Sequence, residues 1–265
     1  MKHVFKKEED IFIKNNYKNM TYKEIANALN LTESQIKHRI QRHLNIKPSK
    51  RKKHFYHYEN ISNDNQNKFY ILGLIAADGN LFNDGYKNKY KISISLLKND
   101  KYLLKEINSL ICDTNIVFDR KTYNMSELVI YDKYIYNLVK SYGITENKSL
   151  TLKSPINVPE KYEKDFIRGY FDGDGSLSVT NNNTYKKLTI QFLGTNDFLQ
   201  WINYTINKNL KISLKNINNT NSKIKNLRYF TKEARIIMDW LYKDSNLKLN
   251  RKYNKYIEYR VKFND

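Results

Sequence analysis

The sequence predicts a mixed α/β (α+β) chain: two pseudo-symmetric copies of a helix, two strands, helix, two strands, helix (αββαββα) unit, preceded by a small three-helix module. Three observations predict it. Two segments, FYILGLIAADGNL at 69–81 and FIRGYFDGDGSL at 166–177, align without gaps and match at Gly73 with Gly169, Ala77 with Gly173, Asp78 with Asp174 and Gly79 with Gly175. Each is followed by period-two alternation, which marks a half-buried strand with one polar face. Ile92, Ile94 and Leu96 alternate with Lys91, Ser93 and Ser95 in the first copy, and Leu188, Ile190 and Phe192 with Lys187, Thr189 and Gln191 in the second. The residues ahead of the first copy carry helix-capping signals instead.

In that N-terminal part, KKEEDIFIKNNY, YKEIANALN and TESQIKHRIQRHL read as three short helices, with Thr21 and Glu24, then Thr32 and Gln35, spaced as capping boxes. EIANALNLTESQI resembles helix-turn-helix sequences, with Ala26 as the small residue at the helix crossing and Asn30-Leu31-Thr32 as the turn. The resemblance implies that the third helix enters a major groove with Ser34, Gln35, Lys37, His38, Arg39, Gln41 and Arg42 outward and Ile36, Ile40 and Leu44 in the core. Pro48, Pro155 and Pro159 mark linkers. The chain is thereby divided into a module at 1–47, a basic linker at 48–66, a first repeat at 67–152, a connection at 153–163 and a second repeat at 164–265.

Each repeat opens on an apolar helix, Tyr70 to Ala77 or Phe166 to Gly173, ended by an acid and a glycine. Gly73 and Ala77 are four apart, as are Gly169 and Gly173, so each helix has one face of small residues that can meet its counterpart backbone to backbone. That packing brings Asp78 and Asp174 to the same end of the pair. A carboxylate at a helix C-terminus opposes the macrodipole, and two side by side repel; a divalent cation relieves both penalties.

After the motif helix, Asp84-Gly85 and Asn181 to Thr184 are hairpin turns leading into the alternating strands. Amphipathic helices follow at DKYLLKEINSLI and NDFLQWINYTI, then strand pairs at NIVFDR with SELVIYD and at LKISLK with LRYFTK, then closing helices at DKYIYNLVKSYG and TKEARIIMDWLYK. The polar strand faces form a concave surface, and a two-stranded ribbon fits a major groove. Candidate contacts are Lys91, Ser93, Ser95, Arg120 and Lys121 in one lobe and Ser176, Ser178, Lys187, Thr189, Gln191, Lys225 and Arg228 in the other.

The paired motifs resemble the LAGLIDADG homing endonucleases, in the single-chain form that carries both copies, over about residues 67–265. The resemblance implies a saddle of strands that grips double-stranded DNA, Mg²⁺ held by Asp78 and Asp174 with the main-chain carbonyls of Ala77 and Gly173, and a monomer. It implies cuts in both strands across the minor groove that leave short 3′ overhangs. Lys148 in ENKSL and Lys252 in LNRKY resemble the basic residues that the family places after each repeat, near the catalytic centre. Arg251 is the neighbouring substitute for Lys252. Asp172 is a third acid nearby, but its counterpart is Ala76, so a role needed in both halves does not rest on it.

Composition agrees with a nucleic-acid partner: 47 Lys+Arg against 27 Asp+Glu leave a formal charge of +20. All five histidines lie in the first 57 residues, so the repeats have no imidazole for a triad or a zinc site. The single cysteine, Cys112, excludes an internal disulfide and fits a reducing compartment. The start lacks an apolar signal core and no apolar run reaches the ~20 residues that span a bilayer, so the expectation is a soluble intracellular protein without a membrane partner. Two other readings share the scaffold: a splicing cofactor (maturase) that binds intron RNA, and a non-catalytic helix-turn-helix transcription regulator, a class that generally loses the paired acids.

Overall fold

A computed structural model of the chain describes residues 3–17, 20, 22–44, 54–85, 89–182, 185–220 and 223–262. It divides into two compact units, Met1–Phe55 and Tyr56–Asp265.

Among the described residues the first unit holds three helices, α1 (Lys7–Asn16), α2 (Tyr22–Ala28) and α3 (Glu33–Arg42), around Ile13, Ile25, Ala26, Ile36 and Ile40. The Thr32 hydroxyl accepts from the Gln35 amide while the Gln35 side chain accepts from the Thr32 amide, so the expected capping box starts α3. Asn30 carries the turn with a φ of +54°, a left-handed position that asparagine tolerates. Thr21, half of the other expected box, lies outside the described residues, as do 48–53 of the expected linker, Asn183 and Thr184 of the second hairpin and residues 86–88 beyond the first.

The second unit starts earlier than the sequence suggested. The linker expected over 48–66 is already part of the fold from Tyr56, whose backbone bridges Cys112 and whose hydroxyl accepts from the Tyr131 amide, and a short helix α4 (Tyr58–Ser62) follows. Then come α5 (Gln66–Asp78), β1 (Gly79–Asp84), β2 (Lys89–Leu97), α6 (Lys101–Ile111), β3 (Val117–Asp119), β4 (Met125–Ile130) and α7 (Lys133–Ser141). The second lobe repeats the order with α8 (Glu160–Asp174), β5 (Ser176–Asn182), β6 (Tyr185–Gly194), α9 (Asn196–Leu210), β7 (Asn218–Asn219), β8 (Lys225–Phe230) and α10 (Thr231–Tyr242), and ends on α11 (Asn250–Lys262). The helix α8 begins inside the expected connection, at Glu160. Among the described residues each lobe has one antiparallel four-stranded sheet, in the orders β1-β2-β4-β3 and β5-β6-β8-β7. Ile92, Ile94 and Leu96, like Leu188, Ile190 and Phe192, are buried, as the alternation requires.

One expected strand is missing and one helix is additional. LKISLK forms no strand: the Asn203 side chain accepts from the Lys215 amide and donates to its carbonyl, and Asn207 donates to Ile212, so side-chain amides take the backbone groups that a ladder would use. A strand of two residues, β7, forms further on. The helix α11 was not foreseen; Lys252, Tyr256 and Tyr259 bury one of its faces at a helical spacing that short polar intervals masked.

The two motif helices, α5 and α8, pack on each other more intimately than any other pair. A methyl group built on Gly73 would sink into the Phe166 carbonyl and lie 2.9 Å from the Tyr170 nitrogen; one on Gly169 would sink into the Tyr70 carbonyl and lie 2.8 Å from the Leu74 nitrogen. These contacts are related by the twofold, since Tyr70 and Leu74 are the counterparts of Phe166 and Tyr170. Both partners are backbone, so neither can swing aside. Gly79 and Gly175 end the helices with extended φ values of −78° and −76°, so glycine is required there for room against the Ile75 and Phe171 carbonyls and not for a left-handed turn. Gly73→Ala or Gly169→Ala should lower stability by about 3 kcal/mol, at the upper end for overpacking, and the melting temperature by roughly 6–12 °C, whereas Gly85→Ala, with open space around it, should move it by under ~2 °C.

Candidate active site

The close helix pair delivers both motif acids to one place. Asp78 is the last residue of α5 and Asp174 the last of α8. A methyl group on Gly173 would lie 3.1 Å from Asp78 Oδ2, so the Asp78 carboxylate rests against the last turn of α8, beside Asp174. Asp78 is half-buried and Asp174 opens to solvent. Desolvation, reinforced by the charge of Asp174, pushes the Asp78 carboxyl up to about 6. Desolvation also raises Asp174, against the opposing pull of Lys148 and Lys252.

Both lysines stand at this centre and both are buried. Lys148 Nζ donates to the Gly79 carbonyl and shares a cleft of about 250 Å³ with Ala77, Ser149, Tyr170, Asp174 and Thr195. Lys252 Nζ donates to the carbonyls of Phe171 (2.6 Å), Asp172 (2.8 Å), Gly173 (3.2 Å) and Gly175 at the C-terminal end of α8. Burial lowers Lys148, and it lowers Lys252 to about 8. The carbonyl of Gly173, expected to face a metal, therefore already faces an ammonium. Arg251 does not substitute for Lys252, because its Nε donates to the buried Asp100 carboxylate at 2.9 Å.

Among the described residues no cluster of three or more His, Cys, Asp or Glu could by itself hold an ion. Two hard carboxylates, with a half-buried turn carrying the Ala77 carbonyl beside them, fit Mg²⁺, which is commonly bound through one or two carboxylates with the remaining positions left to water and substrate phosphates.

The sheets sort the other candidates by register. In the first lobe the solvent face carries Asn80, Phe82, Lys91, Ser93, Ser95 and Glu127. Glu127, which sequence reasoning missed, accepts from Arg120 (3.2 Å) and Lys91 (3.5 Å), and its acidity is strengthened by Arg120 and Ser93. Ser93 is consequently buried rather than presented, a correction to its expected exposure; Ser95 is half-buried and Lys121 exposed. In the second lobe Ser176 and Ser178 are exposed, Thr189 is half-buried, and Arg228 Nε donates to Gln191 Oε1 at 2.8 Å across the ladder. Lys187 Nζ stands 3.9 Å over the Phe230 ring. Lys225 lies on the same side of β8 as the buried Leu227 and Tyr229, opposite Arg228, and bonds Asn219, so it does not share the solvent face. The second face thus keeps its cations without an acid among them, while Glu127 offsets those of the first.

In the N-terminal unit Ser34, Lys37, His38, Gln41 and Arg42 are exposed on or beside α3 and Gln35 is half-buried in the capping box. Arg39 is not presented outward: it makes a bidentate pair with Asp10 of α1 at 2.8 and 2.6 Å, which lowers the Asp10 carboxyl. The sequence signal was available in the acidic first turn of α1, but a pairing 29 residues apart has no local signature.

This geometry defines a duplicated α/β protein whose two motif acids meet at the ends of a closely packed helix pair. No family model matches the chain, and no curated protein matches it. Among solved structures it is similar to the meganuclease I-SmaMI bound to uncleaveable DNA, at 12% identity and a TM-score of 0.54 over 73% of this chain and 88% of that one. It is also similar to the LAGLIDADG meganuclease I-CpaMI bound to uncleaved DNA (15%, 0.52, 76% and 92%) and to the I-LtrWI LAGLIDADG homing endonuclease bound to target DNA (12%, 0.51, 74% and 91%). I-SmaMI is further seen with its uncleaved DNA target in the presence of calcium ions. The chain has the fold of the LAGLIDADG homing endonucleases.

The raised Asp78 carboxyl has a signed consequence for stability. Its ionised form is the one the folded state disfavours, so its stabilising contribution is full below about pH 4 and is lost as pH rises through about 6. Measured by urea unfolding in EDTA from pH 4 to 7.5, Asp78→Asn should gain on the parent chain by on the order of 2 kcal/mol across that interval. A difference that stays flat would contradict the buried, acid-facing placement.

Proposed function

We propose that the protein is a site-specific, Mg²⁺-dependent double-strand DNA endonuclease that acts as a monomer. The observation that carries this reading is the convergence of Asp78 and Asp174, forced by glycine-mediated backbone contact, at the end of two helices that each lead directly into a sheet with a solvent-facing polar side. The DNA and calcium seen with the neighbouring structures support it.

Asp78 and Asp174 would hold the divalent ions, with the Ala77 carbonyl as a further oxygen. When bound, such ions activate water and stabilise the leaving 3′ oxygen. The chain's own residues do the rest. The sheets orient the duplex through Ser95, Lys121, Ser176, Ser178, Thr189 and Arg228, with Lys91, Arg120, Lys187 and Gln191 available once their internal partners yield to phosphate. The buried lysines put positive charge where the phosphorane charge develops. Each strand is hydrolysed across the minor groove, leaving short 3′ overhangs. The N-terminal module acts as a helix-turn-helix that extends the footprint through Ser34, Lys37, His38 and Arg42, with Arg39 serving its own core.

The direct test is selection of a target from a randomised duplex library with Mg²⁺, followed by cleavage assays. Asp78→Asn and Asp174→Asn should each cut at least ~10³-fold more slowly, and EDTA should stop the parent chain. Undiminished cutting by either variant sinks the assignment, and tighter binding of structured RNA than of any duplex would move the function to intron RNA.

A further inference from the structure

Resting on the reading of this chain as a duplex-binding nuclease, we propose that the first lobe recognises the C5-methyl groups of individual thymines through Phe82 and Phe118. Part of the target is then chosen by methyl contact rather than by hydrogen bonds.

Both phenylalanines stand on the polar side of the first sheet. Phe82 of β1 lies opposite Lys91, two residues on from Asn80 opposite Ser93. Phe118 of β3 lies opposite Glu127, which faces Ser95 on its other side. Their chain neighbours Leu81 and Val117 are buried on the core side, whereas Phe82 and Phe118 are 50% and 53% exposed. Neither ring belongs to the core beneath the sheet. A ring left half in water forgoes the stabilisation that covering it supplies.

The spacing of the two rings says what covers them. Three strand spacings and four residues along the strands separate them, roughly 20 Å. A protein partner wants one continuous apolar patch. Two isolated rings, set among Asn80, Lys91, Ser93 and Arg120, fit a surface whose apolar groups are themselves isolated. The major groove is such a surface: thymine shows one C5-methyl there among the hydrogen-bonding edges of the bases, and phenylalanine is a side chain that meets it. The cations on the same face complement the phosphates on either side.

The second sheet lacks both rings. The counterpart of Phe82 is Ser178 by the ungapped motif alignment, and that of Phe118 is Asn218, which pairs with Asn226 as Phe118 pairs with Glu127. Phe230, a partly exposed ring on the second face, carries Lys187 Nζ 3.9 Å above it.

The test measures binding of the full chain in EDTA to its library-selected duplex, with each thymine replaced in turn by 2′-deoxyuridine, which differs only in lacking the methyl. For the parent chain, uracil at one thymine or more for each phenylalanine should weaken binding about 3- to 5-fold, the value of one buried methyl. Phe82→Ala and Phe118→Ala should each abolish the effect at their own thymine and keep the others, with melting temperatures within ~3 °C of the parent. Phe82→Leu, still apolar, should restore a preference for thymine over uracil, and Asn218→Ala should leave every uracil effect as in the parent. Uracil effects that persist in both alanine variants belong to DNA shape and overturn the proposal, as does a target in which no thymine methyl matters. Self-association of the parent that Phe82→Ala or Phe118→Ala removes overturns it in favour of a protein interface. A parent chain that binds its duplex but never cuts it defeats the nuclease reading alone, and the uracil scan still decides the methyl contact; a chain that binds no duplex defeats both.

Discussion

Everything at the centre of this molecule depends on how closely α5 and α8 approach. The contact is made by backbone against backbone, with Gly73 over the Phe166 carbonyl and Gly169 over the Tyr70 carbonyl. Side-chain packing can be re-formed by another set of apolar residues at modest cost, but a carbonyl pressed against a Cα admits no larger residue. The approach is therefore set within tenths of an ångström, and with it the juxtaposition of the two acids one turn further on. The energy that opposes that juxtaposition, desolvation and like charge, appears as the raised Asp78 carboxyl. It is tolerated because the core formed by Phe69, Tyr70, Leu74, Phe166, Ile167 and Phe171 is completely closed.

Duplication gives the two lobes one architecture and leaves their chemistry free to diverge. The sheets share strand order and register, yet Glu127 sits among Lys91 and Arg120 in the first, whereas its counterpart in the second is Asn226 and Lys187 and Arg228 stand without an acid. A surface with charges already partnered gives up less when it meets phosphates, because the internal pairs must first open. The same divergence runs through the interior, where Asp172 and Arg168 occupy positions that are Ala76 and Leu72 in the first lobe.

The sequence revealed most of what symmetry doubles. A glycine stripe and an acid repeated at one spacing carry geometric information because few residue types satisfy them, so the motif helices, their acids, both alternating strands and the helices after them were legible. What stayed hidden was what occurs once or depends on a distant partner. Ser93 read as a presented hydroxyl until Glu127, paired from another strand, covered it. Arg39 read as a groove contact although Asp10 claims it. LKISLK has a strand's alternation, but Asn203 and Asn207 supply its backbone partners from a neighbouring helix. Asp172 was judged by its missing counterpart, and burial against two tyrosine hydroxyls, invisible in any local pattern, makes it a hub.

The central claim is that one divalent centre is shared by the two helix ends. Anomalous diffraction from crystals of the chain with its duplex and Mn²⁺ tests it most directly: the account predicts metal density bonded at ordinary metal–oxygen distances, about 2.0–2.2 Å, to carboxylate oxygens of both Asp78 and Asp174. Density confined to phosphates or to a single lobe, with the two carboxylates turned away from any ion, would contradict it.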